Sequence, residues 1–161
     1  MTNINDAMSH ETRWMDLAIS LARSAGNKSE VPVGAIIVSE NKLISTGFNL
    51  RESSLKATAH AEIIAIEEAS KRLRRWRLHD CELYVTLEPC LMCAGALHQS
   101  RIKRVVYGCR DPKGGALGSL YEINKDERLN HRFEVTEGLR SNECSQLLSS
   151  FFAARRKNST R

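Results

Sequence analysis

A chain of 161 residues with 42% hydrophobic and 27% charged side chains is long enough for one domain with a real core. No apolar run approaches the roughly 18 residues of a membrane span, and the first dozen residues lack a basic segment followed by an apolar one, so a cytoplasmic protein without membrane contact is expected. Five cysteines with one tight pair do not form a disulfide framework, and a net charge of +5 with a pI near 9.1 suits a polyanionic partner without requiring one.

In chain order, residues 1–9 read as a loose polar leader. From His10 to Ala25 the positions Trp14, Leu17, Ala18, Leu21, Ala22 and Ala25 keep a helical period, with Ser9 as N-cap and Gly26 as stop. Val31–Val38 and Leu43–Asn49 are apolar runs around the polar turn Ser39-Glu40-Asn41-Lys42, which predicts a hairpin with Pro32 at the beginning or edge of its strand. After a polar connection, Arg51–Thr58, a helix is predicted over His60–Leu73. Its Ile63, Ile64 and Ile66 are too evenly apolar for a narrow stripe, so it should lie against a sheet.

Cys81–Thr86 predicts a strand, and Pro89 then suits the first position of a helix running to about Ser100. Lys103–Tyr107 is the next strand, so strand, helix and strand make a parallel crossover. Asp111–Gly118, with Gly or Pro at half its positions, is a loop, and Ser119–Asn130 is ambiguous between loop and helical turn. A short strand, Arg132–Thr136, precedes a last helix over Asn142–Arg156, capped by Ser141. Its stripe Cys144, Leu147, Leu148, Phe151 and Phe152 should pack inward, and residues 157–161 form a loose tail. With no internal repeat or linker, the expectation is a single domain over 1–161, an α/β fold of three layers around a central mixed sheet.

Two short stretches carry chemistry, His60-Ala61-Glu62 and Pro89-Cys90-Leu91-Met92-Cys93. Two thiolates on one helical face and one imidazole make a good zinc set. Three protein ligands leave a fourth tetrahedral position for water, as in catalytic sites. Glu62, two residues from His60, can address that water as a proton carrier. A thioredoxin-like Cys-x-x-Cys centre would leave His60 and Glu62 without a role. A closed structural zinc site would need a fourth ligand, and the candidates Cys81 and Cys109 belong to no second paired motif. Basic residues cluster at Lys71, Arg72, Arg74, Arg75 and Arg77 and again at Arg155, Arg156, Lys157 and Arg161, either as phosphate contacts or as solvated helix ends.

The order His-x-Glu … Pro-Cys-x-x-Cys is the signature of the zinc nucleobase deaminases. Further stretches are Glu30-Val31-Pro32-Val33-Gly34-Ala35, Thr58-Ala59-His60-Ala61-Glu62 and Leu83-Tyr84-Val85-Thr86-Leu87-Glu88-Pro89-Cys90. To these add Met92-Cys93-Ala94-Gly95-Ala96, Ser100-Arg101-Ile102, Gly118-Ser119-Leu120 and Asn130-His131-Arg132. With them, Trp14 to Arg156 closely resembles the bacterial tRNA-specific adenosine deaminases. The resemblance implies a cytidine-deaminase-like fold, one zinc per subunit on His60, Cys90 and Cys93, Glu62 as proton shuttle, and adenosine-to-inosine conversion at the tRNA wobble position. It further implies base or nucleotide contacts from Asn49, Ala61 and Asp111, anticodon-loop contacts from Phe152 and Arg155, and a homodimer whose active sites draw on both chains.

By its residues alone Asn49 reads as a turn closing the hairpin, and Phe152 as core. Leu91, Met92, Leu97 and Ile102, more apolar than one covered face requires, hint at the dimer, although core packing explains them nearly as well. Cys109 stands where many relatives have alanine, and Ser150 where some have aspartate. Two alternatives stay open: a deaminase of free guanine, cytosine or cytidine on the same scaffold, and a non-catalytic, zinc-stabilised RNA-binding module.

Overall fold

The computed structural model describes the backbone of residues 4–159 and the side chains of residues 10–159. Its elements are α1 (Ile4–Asn27), β1 (Gly34–Ser39), β2 (Lys42–Phe48), α2 (Arg51–Ser54), α3 (Ala61–Leu73), β3 (Cys81–Leu87), α4 (Leu91–Gln99), β4 (Arg104–Cys109), β5 (Glu134–Glu137) and α5 (Ser141–Ser159), with a 3-10 turn at Ile123–Lys125. The strands form one mixed sheet in the order β2-β1-β3-β4-β5. β1 runs antiparallel to β2 and β3, whereas β3, β4 and β5 run parallel, as the predicted crossover requires.

Side-chain alternation along the strands sorts the core into two layers. Ile36, Val38, Tyr84 and Val106 meet Met15, Ala18 and Ile19 of α1 and Cys144 of α5. Ala35, Ile37, Leu83, Val85, Val105 and Tyr107 meet Ala61, Ala65 and Ala69 of α3 and Ala94 and Leu97 of α4. The fold is therefore the expected three-layer α/β/α sandwich. The β1–β2 hairpin turns through Glu40 and Asn41, both at positive φ (48° and 57°), the conformation of a type I′ turn. Asn41 Oδ1 then accepts a hydrogen bond from Trp14 Nε1 at 3.3 Å and ties the turn to α1.

Glycines let the helices approach the sheet. A Cβ on Gly34 would lie 2.1 Å from the Ala18 carbonyl oxygen, and one on Gly47 would lie 2.4 Å from that of Ala61. At that spacing the covered positions of α3 must be small. The buried residues are Ala61, Glu62, Ala65 and Ala69, while Ile63, Ile64 and Ile66 are half-buried at the flanks of the contact.

Other expectations also need correction. Helix α1 begins at Ile4, so most of the predicted leader is helical and Ser9 lies inside the helix; residues 1–3 fall outside the described residues. Nothing in Ile4–Ser9 is a Pro or Gly that would stop a helix, and Gly26 is tolerated in the last turn. Residues 157–159 extend α5, and 160–161 lie outside the described residues. Pro89 is not the first helical residue, because Cys90 occupies the N-cap with extended backbone (φ −74°, ψ 176°). The last-helix stripe turns Cys144 inward but leaves Phe152 40% exposed. Leu97 and Ile102 are fully buried, so they are core and say nothing of a dimer.

The closeness of α3 gives a direct test. Gly47→Ala should destabilise the fold by about 1–3 kcal/mol, the usual cost of forcing an extra carbon into a packed contact. Gly95→Ala, where an added Cβ meets nothing within 4 Å, should cost no stability. Urea unfolding midpoints of the two variants measure the difference.

Candidate metal centre and active site

α3 and α4 begin at the same end of the sheet, and each presents its N-cap residue there. His60 caps α3 (φ −76°, ψ 153°) and Cys90 caps α4, with Cys93 in the first turn behind it. The ligand atoms of His60, Cys90 and Cys93 all lie within 4.8 Å of one another. His60 Nδ1 is 3.6 Å from Cys90 Sγ and 3.5 Å from Cys93 Sγ. Zinc bonds of about 2.3 Å to sulfur and 2.0–2.1 Å to nitrogen, at a tetrahedral angle, put those atoms about 3.5–3.6 Å apart. The donor set fits zinc in type and in spacing, with Nδ1 as the imidazole ligand.

The groups share protons in the way expected of a metal site read without its ion. The Cys90 thiol is pulled down to about 4, chiefly by the hydrogen bond with Cys93; burial opposes this and the His60 ring adds to it. Cys93 is pushed up by that same bond and then by burial, and His60 is raised, first by its bond to Cys90. A cation would displace those protons, since a metal takes thiolates and a neutral imidazole. Glu62, 4% exposed beside them, has its carboxyl pushed up mainly by burial.

His60, Glu62 and Cys90 line a cavity of about 190 Å³ together with Val31, Val33, Asn49, Arg51, Asp111 and Arg155. That is below the roughly 300–1,000 Å³ of pockets for drug-sized ligands, and suits a single base better than a whole nucleotide. Asn49 Oδ1 accepts the Arg51 N–H at 3.1 Å and its Nδ2 donates to the Val31 carbonyl at 3.3 Å. It is thus both the turn residue its type suggested and a wall of the cavity, with one N–H and one lone pair beyond those two bonds. Ala61 is fully buried at the first position of α3, where a backbone N–H has no intrahelical acceptor. Asp111 accepts the Lys113 and Gly114 N–H groups at 3.1 and 3.2 Å, which fixes its carboxylate at the rim.

Phe152 does not reach this cavity. It lines an adjoining groove of about 730 Å³ with Arg110, Lys113, Ser149 and Arg156, which shares Val31, Leu87 and Asp111 with the cavity. Arg155 reaches the cavity from α5, donating to the Ser29 carbonyl at 3.2 Å with its guanidinium 4.8 Å from the centre of the Phe151 ring.

Two lining residues carried no role in the sequence reading, Glu30 and Glu88, both essentially fully buried. Glu30 accepts the Glu52 and Ser53 N–H groups at 3.1 and 2.6 Å and so holds the start of α2. Burial pushes its carboxyl up, but those bonds and Arg155 outweigh it and hold the value below the usual range. Both glutamates stand in stretches that carry the family resemblance, each one or two residues ahead of a proline, but nothing in those stretches tells a buried clamp from a surface carboxylate.

Residues 8–109 match the cytidine and deoxycytidylate deaminase zinc-binding region. The chain is 47% identical over 150 residues, 93% of each protein, to a tRNA-specific adenosine deaminase of Bacillus subtilis. It superposes with a TM-score of 0.83 and 42% identity on a structure from a study of A-to-I editing by tRNA:A34 deaminases, covering 85% of this chain and 99% of that one. A guanine deaminase from Nitrosomonas europaea matches at a TM-score of 0.76 and 25% identity, over 88% of this chain and 84% of that one. A zinc-fitting donor set beside a buried glutamate, on this sheet and with these likenesses, assigns the chain to the zinc-binding cytidine and deoxycytidylate deaminase family, in its branch of tRNA-specific adenosine deaminases.

Proposed function

We propose that the protein hydrolyses adenosine to inosine and ammonia at wobble position 34 of tRNA anticodons, in the cytoplasm, as a homodimer with one zinc per subunit. The observation that carries this reading is the His60–Cys90–Cys93 triangle with Glu62 buried beside it, in a cavity sized for one base. Bound by those three residues, a zinc ion supplies the charge that makes water nucleophilic near neutral pH. The remaining work falls to side chains. Glu62 takes a proton from the attacking water and delivers it to N1 of the adenine as C6 becomes tetrahedral. It then takes the remaining proton from the new C6 hydroxyl and gives it to N6, so that the C6–N6 bond breaks, ammonia leaves and a C6 carbonyl remains. Asn49 meets the edge of the base with its spare N–H and lone pair, and the Ala61 N–H offers a second donor next to Glu62.

The groove beside the cavity favours RNA over a free base. A free purine needs no second cleft lined by Arg110, Lys113, Phe152 and Arg156, whereas an extruded loop nucleotide arrives with neighbours and phosphates. Metal-centred chemistry with a proton carrier, in turn, favours an enzyme over a binding module. Support for the homodimer comes from an apolar cleft between α3 and α4 lined by Ile63, Ile66 and Trp76, with Trp76 57% and Leu91 52% exposed. No helix of the described residues is long and apolar enough to cross a membrane.

Glu62→Ala should keep one zinc per chain and its RNA affinity while losing nearly all turnover; Cys90→Ala should lose the zinc. Elemental analysis and an ammonia-release assay on an anticodon stem-loop read both, and near-normal turnover by Glu62→Ala would refute the assigned mechanism. Neutralising Arg155, Arg156 and Lys157 together should weaken stem-loop binding and flatten its salt dependence by roughly 0.7 in log–log slope per lost phosphate contact. A salt series that superimposes on wild type would exclude this end of α5 from the interface. Sedimentation should show a dimer that Trp76→Glu shifts toward monomer, and a fully active wild-type monomer would exclude the dimer as a requirement.

A further inference from the structure

Glu88 takes no part in the chemistry above, yet it is 1% exposed, it directly follows the strand that leads into the metal motif, and it stands two residues before Cys90. Four donors from one segment converge on its carboxylate. The Asp111 N–H reaches Oε1 at 3.2 Å, and the N–H groups of Leu117 and Ser119 each reach Oε2 at 3.1 Å. The Ser119 hydroxyl donates to Oε1 as well. Around this clamp the backbone is stitched to the same place, through the Ala116 N–H to the Pro89 carbonyl at 2.9 Å and a β-bridge between Cys90 and Gly115. Gly115 leaves the carboxylate its space, since a Cβ there would lie 2.1 Å from Oε2.

The segment held in this way carries Asp111, which lines both the catalytic cavity and the adjoining groove. Beside those backbone links, Glu88 is the side chain that joins the residues next to Cys90 directly to the Asp111 N–H. We propose that Glu88 is a positioning residue for substrate capture. It keeps the 111–119 segment in register with the ligand-bearing end of α4, and so sets Asp111 where the nucleotide beside the target base must pass. This rests on the RNA reading above. The clamp requires a carboxylate, because a carboxylate accepts at both oxygens, whereas an amide of the same shape turns an NH2 group onto N–H donors and leaves them unpaired. Glu62, His60 and Cys93 lie on or at the start of α3 and α4, outside the clamped segment, so the chemistry should suffer less than capture.

Glu88→Gln, nearly isosteric, tests this in the zinc-loaded protein. The Leu117 and Ser119 amides should exchange with deuterium roughly tenfold faster, as expected for the loss of one or two such bonds, while α3 stays as protected as in wild type. On an anticodon stem-loop with adenosine at position 34, KM should rise roughly tenfold, a change of about 1.4 kcal/mol, with kcat altered less than about threefold. Asp111→Ala should raise KM similarly, and the double variant should be no worse than the single ones, because both changes act through Asp111. Unchanged exchange and KM, multiplicative single effects, or loss of zinc from Glu88→Gln would each overturn the proposal. Should Glu88→Gln fail to fold, Ser119→Ala removes only the hydroxyl donor; it should raise KM by a smaller factor, and an unchanged KM overturns the proposal. If wild type itself does not turn over the stem-loop, the functional reading fails, and deuterium exchange alone decides whether Glu88 clamps the segment.

Discussion

Two helices starting at one end of a single sheet, with His60 and Cys90 as their N-caps, hold the active site together. An N-cap has a defined extended backbone, so once a helix is docked its cap side chain has little freedom left in where it can go. The docking is close, because Gly47 under Ala61 and the alanine face of α3 leave no room for the helix to ride higher. β3, paired on both sides, fixes where α4 begins. The 3.5 and 3.6 Å separations between the imidazole and the two sulfurs therefore derive from packed backbone. Both helix dipoles add a preference for anions at that end, typically about 0.3–1 kcal/mol each, which suits two thiolates and a carboxylate.

The same constraint explains how much could be read from the sequence. His, Glu and two Cys at these spacings have few other uses, and the alternating apolar strands and short links fix a three-layer sheet. Periodicity could not show how close α3 lies. Isoleucines look like the contact residues on hydrophobicity alone, but they became flanks because the close approach admits only alanine. The helix starts two positions later than Pro89 at N1 would put it, since a proline suits both N1 and the residue ahead of the N-cap. Phe152 looks like core by spacing, and it lines the groove instead, because Cys144 is the buried residue of α5 and the later part of the stripe is only partly covered. Glu30 and Glu88 were invisible as functional residues, because the donors that satisfy them come from segments 22 to 31 positions away in sequence.

The interior of this basic chain is acidic where it counts. Glu30, Glu62 and Glu88 are all buried at the cavity, and the way each is satisfied divides their roles. Glu30 accepts two backbone N–H groups at the start of α2, and they hold its carboxyl below the usual range despite burial. Glu88 takes four donors from the opposite rim. For Glu30 the donors that stabilise the anion make a proton harder to accept, and for Glu88 they tie the 111–119 segment to the end of β3.

Glu62 differs from both. Burial dominates its surroundings and pushes its carboxyl up, and the groups that pull the other way are its own N–H, the His60 ring and the Cys93 thiol, all at the metal triangle itself. A group balanced in that way can take a proton and return it, which a deamination demands twice, once at N1 and once at N6. In the proposed mechanism, three glutamates of identical chemistry thus serve as two fasteners and one proton carrier. What separates them is the number of backbone donors aimed at each, and those donors are set by the loops that the sheet brings to one end.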